Sequence, residues 1–482
     1  CWALFRLRRA CCAARSGWLS RLLPASSLLE YIELYDALHL MEARRIIAGL
    51  DVQFTADVQR QLYLPASRGG LGLRELARCA PAAALASWTV TFAMLRPHLA
   101  TTPSLVVPLA GRAALRGVLA RPNDPLGLRA AFARVRADHD WHLVPANRPL
   151  LPAPRGGAAP SAPCPLPSSL YECVVVAQKT VLEKDFMANA HSRDLASLLA
   201  SPSVTAAGLD RLVSAGAATR LGHHFLHVPP RAVDVGAPPL HFPSPLFRTC
   251  LQLRLGLPLT VLRGVLLCPC GRRSDPHGRH VLSCVTGGLT FHRHEAAVGA
   301  LASLARAAGY AATTTNLQHV YPARPPGPGV SVHYRPDLRI DEYPSPGDST
   351  LVDVTVVHPV SAERVAHPRA GRRRELAAAE AAIARKEQRL AAHLRAAAAA
   401  SGAAAPPGSR FVVAAWETFG AAAQPTAVLV ADLLRAACDR VGLDGSAAAS
   451  LRRSWRYHLS SVVAMAVARQ VHTLASRGAV VG

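Results

Sequence analysis

Residues 349–359 read STLVDVTVVHP, a run of β-branched and apolar residues with one aspartate near its middle. Apolar residues occupy both alternating faces of this run, which is typical of a strand buried inside a sheet. A carboxylate in such a strand is costly unless it is paired or bound to a metal. The stretch therefore predicts an interior strand in which Asp353 has a specific partner.

The segments around this strand predict an α/β domain with the element order αβββαβ. The expected elements are an amphipathic helix over 292–310, strands over 311–321, 333–343 and 349–359, a long helix over 372–400, a strand over 410–420, and closing helices over 424–441 and 446–477.

A second aspartate, Asp337, lies on the predicted strand before Asp353. Carboxylates on adjacent strands can converge on Mg²⁺, a hard cation that takes oxygen ligands and keeps waters. Such an ion would supply a nucleophilic hydroxide and stabilise charge on a phosphate. Lys386, one of only three lysines, follows on the long helix, where it would stabilise a leaving group or position the water. The alternatives are an Asp–Arg ion pair between strands and a solvated helix lysine.

The stretch CPCGRRSDPHGRHVLSC, residues 268–284, concentrates three of the eleven cysteines of the chain. Three thiolates and one imidazole satisfy tetrahedral zinc, and a histidine followed four residues later by a cysteine suits one helical turn. The predicted ligands are Cys268, Cys270, His280 and Cys284. His277 is the competing ligand, and chance proximity is the alternative. With four protein ligands the site would be structural.

The formal net charge is +23 and the isoelectric point is about 10.6. Such a charge favours a polyanionic partner and nucleic acid above all. The alternative is an arginine-rich composition inherited from a GC-rich genome. Arg372, Arg373 and Arg374, at the start of the long predicted helix, are candidate phosphate contacts. Their alternative is a solvated helix end.

The rest of the chain predicts helices and a linker. Residues 1–120 show helical patterns, interrupted by a glycine turn at 69–72, and residues 143–168 are rich in Pro, Gly and Ala. The chain begins at Cys1, so we expect a fragment of a longer product. The longest apolar stretch is too short to span a membrane, and the N-terminus lacks the pattern of a signal peptide.

Taken in order, several motifs resemble a known family. RPD, LVDVTVVHP and a lysine on the next helix resemble the PD-(D/E)xK nuclease superfamily with its lysine moved onto the helix. Preceded by C-x-C…H-x-x-x-C, they resemble the restriction-like endonuclease at the C-terminus of certain non-LTR retrotransposon polyproteins. DPHGRHVLSC, RHE and WETFG fit the same arrangement, as do the upstream RGGLGLREL and LQLRLGLPL. The resemblance is firmest over 244–420.

The resemblance implies a division of the chain and roles for its residues. The expected parts are 1–142 (a helical, thumb-like remainder of a reverse transcriptase), 143–168 (linker), 169–262 (helical linker region), 263–290 (zinc knuckle), 291–422 (restriction-like endonuclease) and 423–482 (C-terminal helices). Asp337 and Asp353 would bind the catalytic metal, with Lys386 as the catalytic lysine. Arg293, His294 and Arg335 would contact DNA.

The implied activity is a Mg²⁺-dependent nick in target DNA, in which water attacks phosphorus and leaves a 3′-hydroxyl. In the full element that end would prime reverse transcription of the element's RNA. The expected partners are therefore target DNA and, through the full-length protein, element RNA, with no membrane. The expected location is the nucleus. The chain carries no ADD-type polymerase motif, so the polymerase core is expected to be absent from it.

Three positions depart from the family pattern. Thr355 stands where the common motif has lysine, Arg389 where a tyrosine often follows the migrated lysine, and Glu295 where asparagine is usual. A second hypothesis is a nucleic-acid-binding remnant that has lost catalysis. The departures around Lys386 favour it, whereas the retained acids and the lone lysine oppose it. A third hypothesis, a protein-binding scaffold of alanine-rich helices, is disfavoured by the basic charge.

Overall fold

The structure of the chain is a computed structural model. It describes residues 29–49, 52, 54–80, 82–83, 87, 187, 190–216, 221–226, 237–238, 240–326, 331–360, 376–402, 408–477 and 479–480. The predicted linker at 143–168 and Arg372, Arg373 and Arg374 lie outside these residues. The described residues fall into two compact units, one with 45–71 and 201–480 and the other with 29–44 and 72–200.

The described residues form a mixed α/β structure with nine labelled helices and six strands. The helices are α1 (Leu29–Ile47), α2 (Ala56–Tyr63), α3 (Ala206–Ala215), α4 (Ser244–Leu255), α5 (Arg279–Ser283), α6 (Leu289–Ala307), α7 (Ala377–Ser401), α8 (Gln424–Arg440) and α9 (Gly445–Arg477). The strands are β1 (Val265–Leu267), β2 (Ala312–Thr313), β3 (Leu338–Asp341), β4 (Ser349–Val357), β5 (Ser409–Glu417) and β6 (Ala479–Val480). Residues 76–80 and 190–200 are also helical.

Four strands form a small mixed sheet in the order β2-β3-β4-β5. Strand β4 lies inside it, antiparallel to β3 with Leu338 opposite Val352, and parallel to β5 with Asp353 opposite Val413. The prediction that residues 349–359 form an interior strand is therefore confirmed. The order αβββαβ is confirmed as well, as α6, β2, β3, β4, α7 and β5.

Two predicted strands are much shorter than expected. Only Ala312–Thr313 of the segment 311–321 is a strand, because Asn316 adopts a left-handed conformation with φ of 56° and Leu317–His319 form a 3₁₀ turn. Of the segment 333–343, only Leu338–Asp341 pairs as a strand. The alternation of residue types indicated the location of these strands but not their ends.

Helices cover both faces of the sheet. Because side chains alternate along a strand, Val352, Val354 and Val356 point to one face. They pack there in a large core with side chains of α6, α8 and α9, including Trp455. On the other face Leu351 packs against Leu390 of α7. Asp353 shares this second face, so its carboxyl group lies under α7.

The residues around the cysteine cluster pack against α9. Val281 and Leu282 of α5 are buried in one cluster with Val467, Val471 and Leu474. Strand β1, which leads into the cluster, pairs antiparallel with β6 near the end of the chain. The long α9 thus contributes side chains both to the apolar cluster around Val281 and Leu282 and to the core against the sheet.

The glycine turn at 69–72 is confirmed. Gly69 and Gly72 have φ of +86° and +66°, which glycine adopts without strain. A Cβ on Gly70 would lie 2.0 Å from the carbonyl oxygen of Leu64, so no side chain fits there. The buried Arg254 of α4 donates to the Gly70 carbonyl at 2.9 Å and holds this turn.

In the other unit, polar side chains connect helical segments. Asp36 of α1 accepts hydrogen bonds from the backbone N–H groups of Leu76 and Ala77 at 2.7 and 2.8 Å, capping the helical segment 76–80. Arg78 forms a two-point ion pair with Asp194 at 2.6 and 3.0 Å. Helical structure in the described N-terminal residues agrees with the sequence prediction.

The core assignment predicts a contrast between two valines on α8. Val430 is 1% exposed and Val428 is 39% exposed. Val430→Ala should lower the free energy of unfolding by about 2 kcal/mol, because it removes buried methyl groups and leaves a cavity. Val428→Ala, the matched control, should change it by less than about 0.5 kcal/mol. Denaturant titration of the full chain measures both, and equal effects would contradict this packing of α8.

Candidate metal centres

Two tight turns bring the cysteine cluster together. After β1, the backbone N–H of Gly271 donates to the carbonyl of Cys268 at 2.8 Å, and Gly271 has φ of +82°. Gly278, with φ of +73°, begins the one-turn helix α5. Along α5 the backbone N–H of Cys284 donates to the carbonyl of His280 at 2.8 Å, which stacks these two residues on one side.

The ligand atoms of Cys268, Cys270, His280 and Cys284 all lie within 4.8 Å of one another. The sulfurs of Cys268 and Cys284 are 3.6 Å apart, and Cys270 Sγ lies 3.1 Å from His280 Nε2. Two sulfurs bound tetrahedrally to zinc at about 2.3 Å stand roughly 3.8 Å apart. The four residues can therefore hold a metal ion, and their number, type and spacing are compatible with zinc.

His277, the competing ligand, does not belong to this group. Asp275 organises the loop instead, accepting from the backbone N–H groups of His277 at 3.0 Å and of His280 at 2.9 Å. Asp275 thus fixes the backbone of a candidate ligand without being one. The sequence offered a signal for it, an aspartate before proline in a turn, but the signal did not show which N–H groups it would bind.

The two buried thiols of the cluster differ in acidity. Burial raises the pKa of Cys268 to about 12. Burial also acts to raise the pKa of Cys284, but hydrogen bonds from the side chain and backbone of Thr286 outweigh it and lower that pKa. The Cys268 thiol donates to the Cys284 sulfur at 3.6 Å. Because zinc binds thiolates, metal binding releases the proton that this pair holds.

The cluster predicts which histidine retains zinc. His280→Ala should lose most of the zinc that the full chain binds, because it leaves three ligands in a site built for four. His277→Ala, a substitution of the same type in the same loop, should keep about one zinc per chain. Metal analysis after dialysis against a weak chelator measures both. Loss of zinc from the His277 variant alone would contradict the assignment.

The two predicted acids lie together at the sheet. Asp353 is 6% exposed, on β4. Asp337 immediately precedes β3, and its backbone N–H donates to the carbonyl of Val352 at 2.9 Å. Asp337 Oδ2 accepts from the backbone N–H of Val354 at 2.6 Å. The two carboxyl groups lie close enough for each to shift the pKa of the other.

Lys386 reaches the same point from α7. Its Nζ donates to Asp353 Oδ1 and, at 2.9 Å, to the carbonyl of Val354. The hydroxyl of Tyr334 donates to Asp353 Oδ2 at 2.6 Å. Asp337, Asp353 and Lys386 are therefore brought together as the sequence predicted. Tyr334 was missed, because nothing in the sequence indicated where a tyrosine three residues before Asp337 would point.

The surroundings move the two carboxyl pKa values in opposite directions. Burial, then the hydrogen bond with Asp337, raises the pKa of Asp353 to about 6, although the Lys386 charge opposes this. Burial also acts to raise the pKa of Asp337. Hydrogen bonds from His294 and Asp353, the His294 charge and the Val354 N–H outweigh it, so that pKa is lowered.

The residues predicted to contact DNA differ in how exposed they are. His294 Nε2 lies 3.1 Å from Asp337 Oδ1 and 3.7 Å from Glu295 Oε1. Arg335 is exposed beside the acids. Arg293 is 4% exposed and bonded inside the fold, which disfavours phosphate contact in this conformation, and the DNA contact expected of it stays a prediction.

No protein-family model and no curated protein matches this chain. The site is therefore described from its geometry. Within the described part of the chain, no helix combines the length and apolarity that crossing a membrane requires.

The raised pKa of Asp353 predicts a pH-dependent stability. The folded protein binds this proton more tightly than the unfolded chain, whose aspartates have a pKa near 3.9. In zinc-loaded protein without added Mg²⁺, the free energy of unfolding of the wild type should fall relative to Asp353→Asn by about 2 kcal/mol as pH rises from about 4 to about 7. Most of this fall should occur below about pH 6. Urea titrations at pH 4.5, 6 and 7.5 measure the difference. A constant difference would contradict the raised pKa.

Proposed function

We propose that this chain is the endonuclease-bearing part of a non-LTR retrotransposon protein and nicks target DNA in a divalent-metal-dependent reaction. The observation that carries the proposal is the convergence of Asp337, Asp353 and Lys386, which are far apart in the sequence, at one face of the sheet. A buried acid with a perturbed pKa beside a lysine is typical of a functional site.

The acid pair suits a hard cation such as Mg²⁺, which takes carboxylate oxygens and keeps waters. Lys386 pairs with Asp353, and the His294 ring lies 3.1 Å from Asp337 Oδ1, so each carboxylate faces a nitrogen of a basic side chain. The side chains of Asp337, His294 and Lys386 are 20, 21 and 28% exposed, so the acids are reachable from solvent. Asp337 and Asp353 would hold the ion.

The chain's own groups supply the rest of the chemistry. A bound Mg²⁺ lowers the pKa of its water and stabilises charge on the phosphate. Lys386, beside the acids, would place its ammonium on a phosphate oxygen or on the attacking water. Tyr334 donates to Asp353 Oδ2 and would hold this carboxylate in place as a metal ligand. Cleavage on this pattern leaves the 3′-hydroxyl that a reverse transcriptase extends.

The cysteine cluster would hold zinc in a structural role. Four protein ligands fill a tetrahedral site and leave no position for a substrate or a water. Reaction chemistry is therefore assigned to the acids and not to the knuckle.

The element order and sheet support the restriction-like fold as the finer description. Strand β4 carries the buried acid between an antiparallel and a parallel neighbour, and α7 connects β4 to β5 while presenting Lys386 to the acid. This is the arrangement that the resemblance to PD-(D/E)xK nucleases with a migrated lysine implies.

Charge supports DNA as the partner. The chain carries a net charge of +23, and Arg385, Arg389 and Arg395 are exposed on α7, the helix that carries Lys386. Phosphate contacts of this kind position a backbone without reading its sequence. Contact with element RNA through the full-length protein and a nuclear location belong to the same proposal.

The second candidate function is a DNA-binding remnant without catalysis. Thr355 and Arg389 depart from the family pattern, and Lys386 is paired with Asp353 in this structure. The remnant would keep salt-sensitive DNA binding and lose nicking.

Nicking of supercoiled plasmid by the zinc-loaded full chain separates the two functions. The wild type should nick with Mg²⁺ and not with EDTA, and Asp353→Asn and Lys386→Met should each slow nicking roughly a hundredfold or more. Asp341→Asn on β3 and Glu387→Gln, at an exposed position of α7 next to Lys386, are matched controls and should nick within about threefold of the wild type.

Two outcomes would count against the nuclease. Binding of plasmid by folded wild type without any nicking would favour the remnant. Metal-dependent nicking that persists in Asp353→Asn would place the reaction at other residues.

A further inference from the structure

Arg293 of α6 carries a buried charge without an acidic partner. Its guanidinium donates to the carbonyl of Leu282 at 3.2 Å, to Gln470 Oε1 at 2.9 Å and to the carbonyl of Val356 at 2.7 Å. No carboxylate of the described residues lies within ion-pair distance of it, and its Nε has no hydrogen-bond partner among them. Burial lowers the pKa of Arg293 to about 10, so it remains charged at neutral pH.

Gln470 of α9 completes the arrangement. It is 2% exposed, and its Nε2 donates to the carbonyl of Val281 at 2.9 Å while its Oε1 accepts from Arg293. The two side chains thus occupy the carbonyls of consecutive residues, Val281 and Leu282.

The carbonyl groups that Arg293 and Gln470 bind lie near the cysteine cluster and near the acid pair. Val281 and Leu282 lie on α5, between His280 and Cys284, and a five-residue helix leaves its last carbonyls without partners of its own. Val356 lies three residues beyond Asp353 on β4. One guanidinium therefore joins the helix of the knuckle to the strand that carries the buried acid.

We propose that Arg293 and Gln470 form a positioning clamp that couples metal occupancy of the knuckle to the order of strand β4 beside Asp353. A metal on the four ligands fixes α5 and its carbonyls, and the carbonyls fix the guanidinium that holds the Val356 carbonyl. Without metal, the contacts of the clamp with α5 loosen, and the end of β4 loses support.

The hydrogen bonds of the Arg293 guanidinium depend on where the carbonyl groups lie. A charge satisfied only by carbonyl dipoles depends on their distance and direction, whereas an apolar side chain of similar size would pack with little such dependence. Coupling between two sites is reciprocal, so weakening the clamp should also loosen the hold of the knuckle on zinc. The consequence for catalysis rests on the proposed function, whereas the coupling itself does not.

Hydrogen exchange of the full chain, measured by mass spectrometry without Mg²⁺, tests the clamp. In the wild type, removing zinc with a selective chelator should speed amide exchange across 352–357 by about fivefold or more. Zinc-loaded Gln470→Met should already exchange faster there by a similar factor and should release zinc to the chelator faster. Arg469→Met, on the exposed neighbouring residue of α9, should behave as the wild type.

Unchanged exchange over 352–357 in zinc-loaded Gln470→Met, with zinc release also unchanged, would overturn the clamp. Because both proteins in this comparison are zinc-loaded, it tests the clamp even if the zinc-free wild type unfolds globally. If Gln470→Met does not fold, Arg293→Lys replaces it, because lysine keeps the charge but lacks the planar donors of the guanidinium. It should also speed exchange over 352–357 and zinc release. Failure of the wild type to nick DNA would defeat the proposed function and leave the exchange result unaffected.

Discussion

Burying the carboxyl group of Asp353 inside strand β4 is costly unless donors surround it, and the neighbouring elements supply them. Lys386 donates from α7 and Tyr334 from the segment before β3, and Asp337 lies close enough to shift the pKa of the same carboxyl group. Each of these groups depends on the register of β3 and β4 and on the crossing of α7 over the sheet. The fold itself therefore fixes the positions of both acids.

The cysteine cluster and the sheet are joined through side chains to which the proposed reaction assigns no part. Arg293 and Gln470 bond to carbonyls of α5, and Arg293 also bonds to a carbonyl of β4. In this view the cysteine cluster does more than close a loop, since it orders a helix on which a buried charge depends. The acid pair and the cluster then form one connected structure, although each has its own chemistry.

Much of this could be predicted from the sequence where the signal is short-ranged. The apolar run around Asp353 indicated an interior strand, and the spacing from Cys268 to Cys284 indicated four converging ligands. Other features depend on how the elements pack. Arg293 and His294 are neighbours in sequence, but the helical step of about 100° sends one into the core and the other to Asp337. Tyr334 was missed for the same reason, because its role depends on tertiary placement.

The most direct test of the central claim is the anomalous scattering of Mn²⁺, used in place of Mg²⁺, in crystals of the zinc-loaded full chain. The account predicts a manganese peak at the carboxyl groups of Asp337 and Asp353, with the Lys386 ammonium no longer paired with Asp353. A separate zinc peak should lie among the four knuckle ligands. Absence of manganese at the acids, with Lys386 still paired to Asp353 at saturating metal, would contradict the assignment of this site as a metal centre.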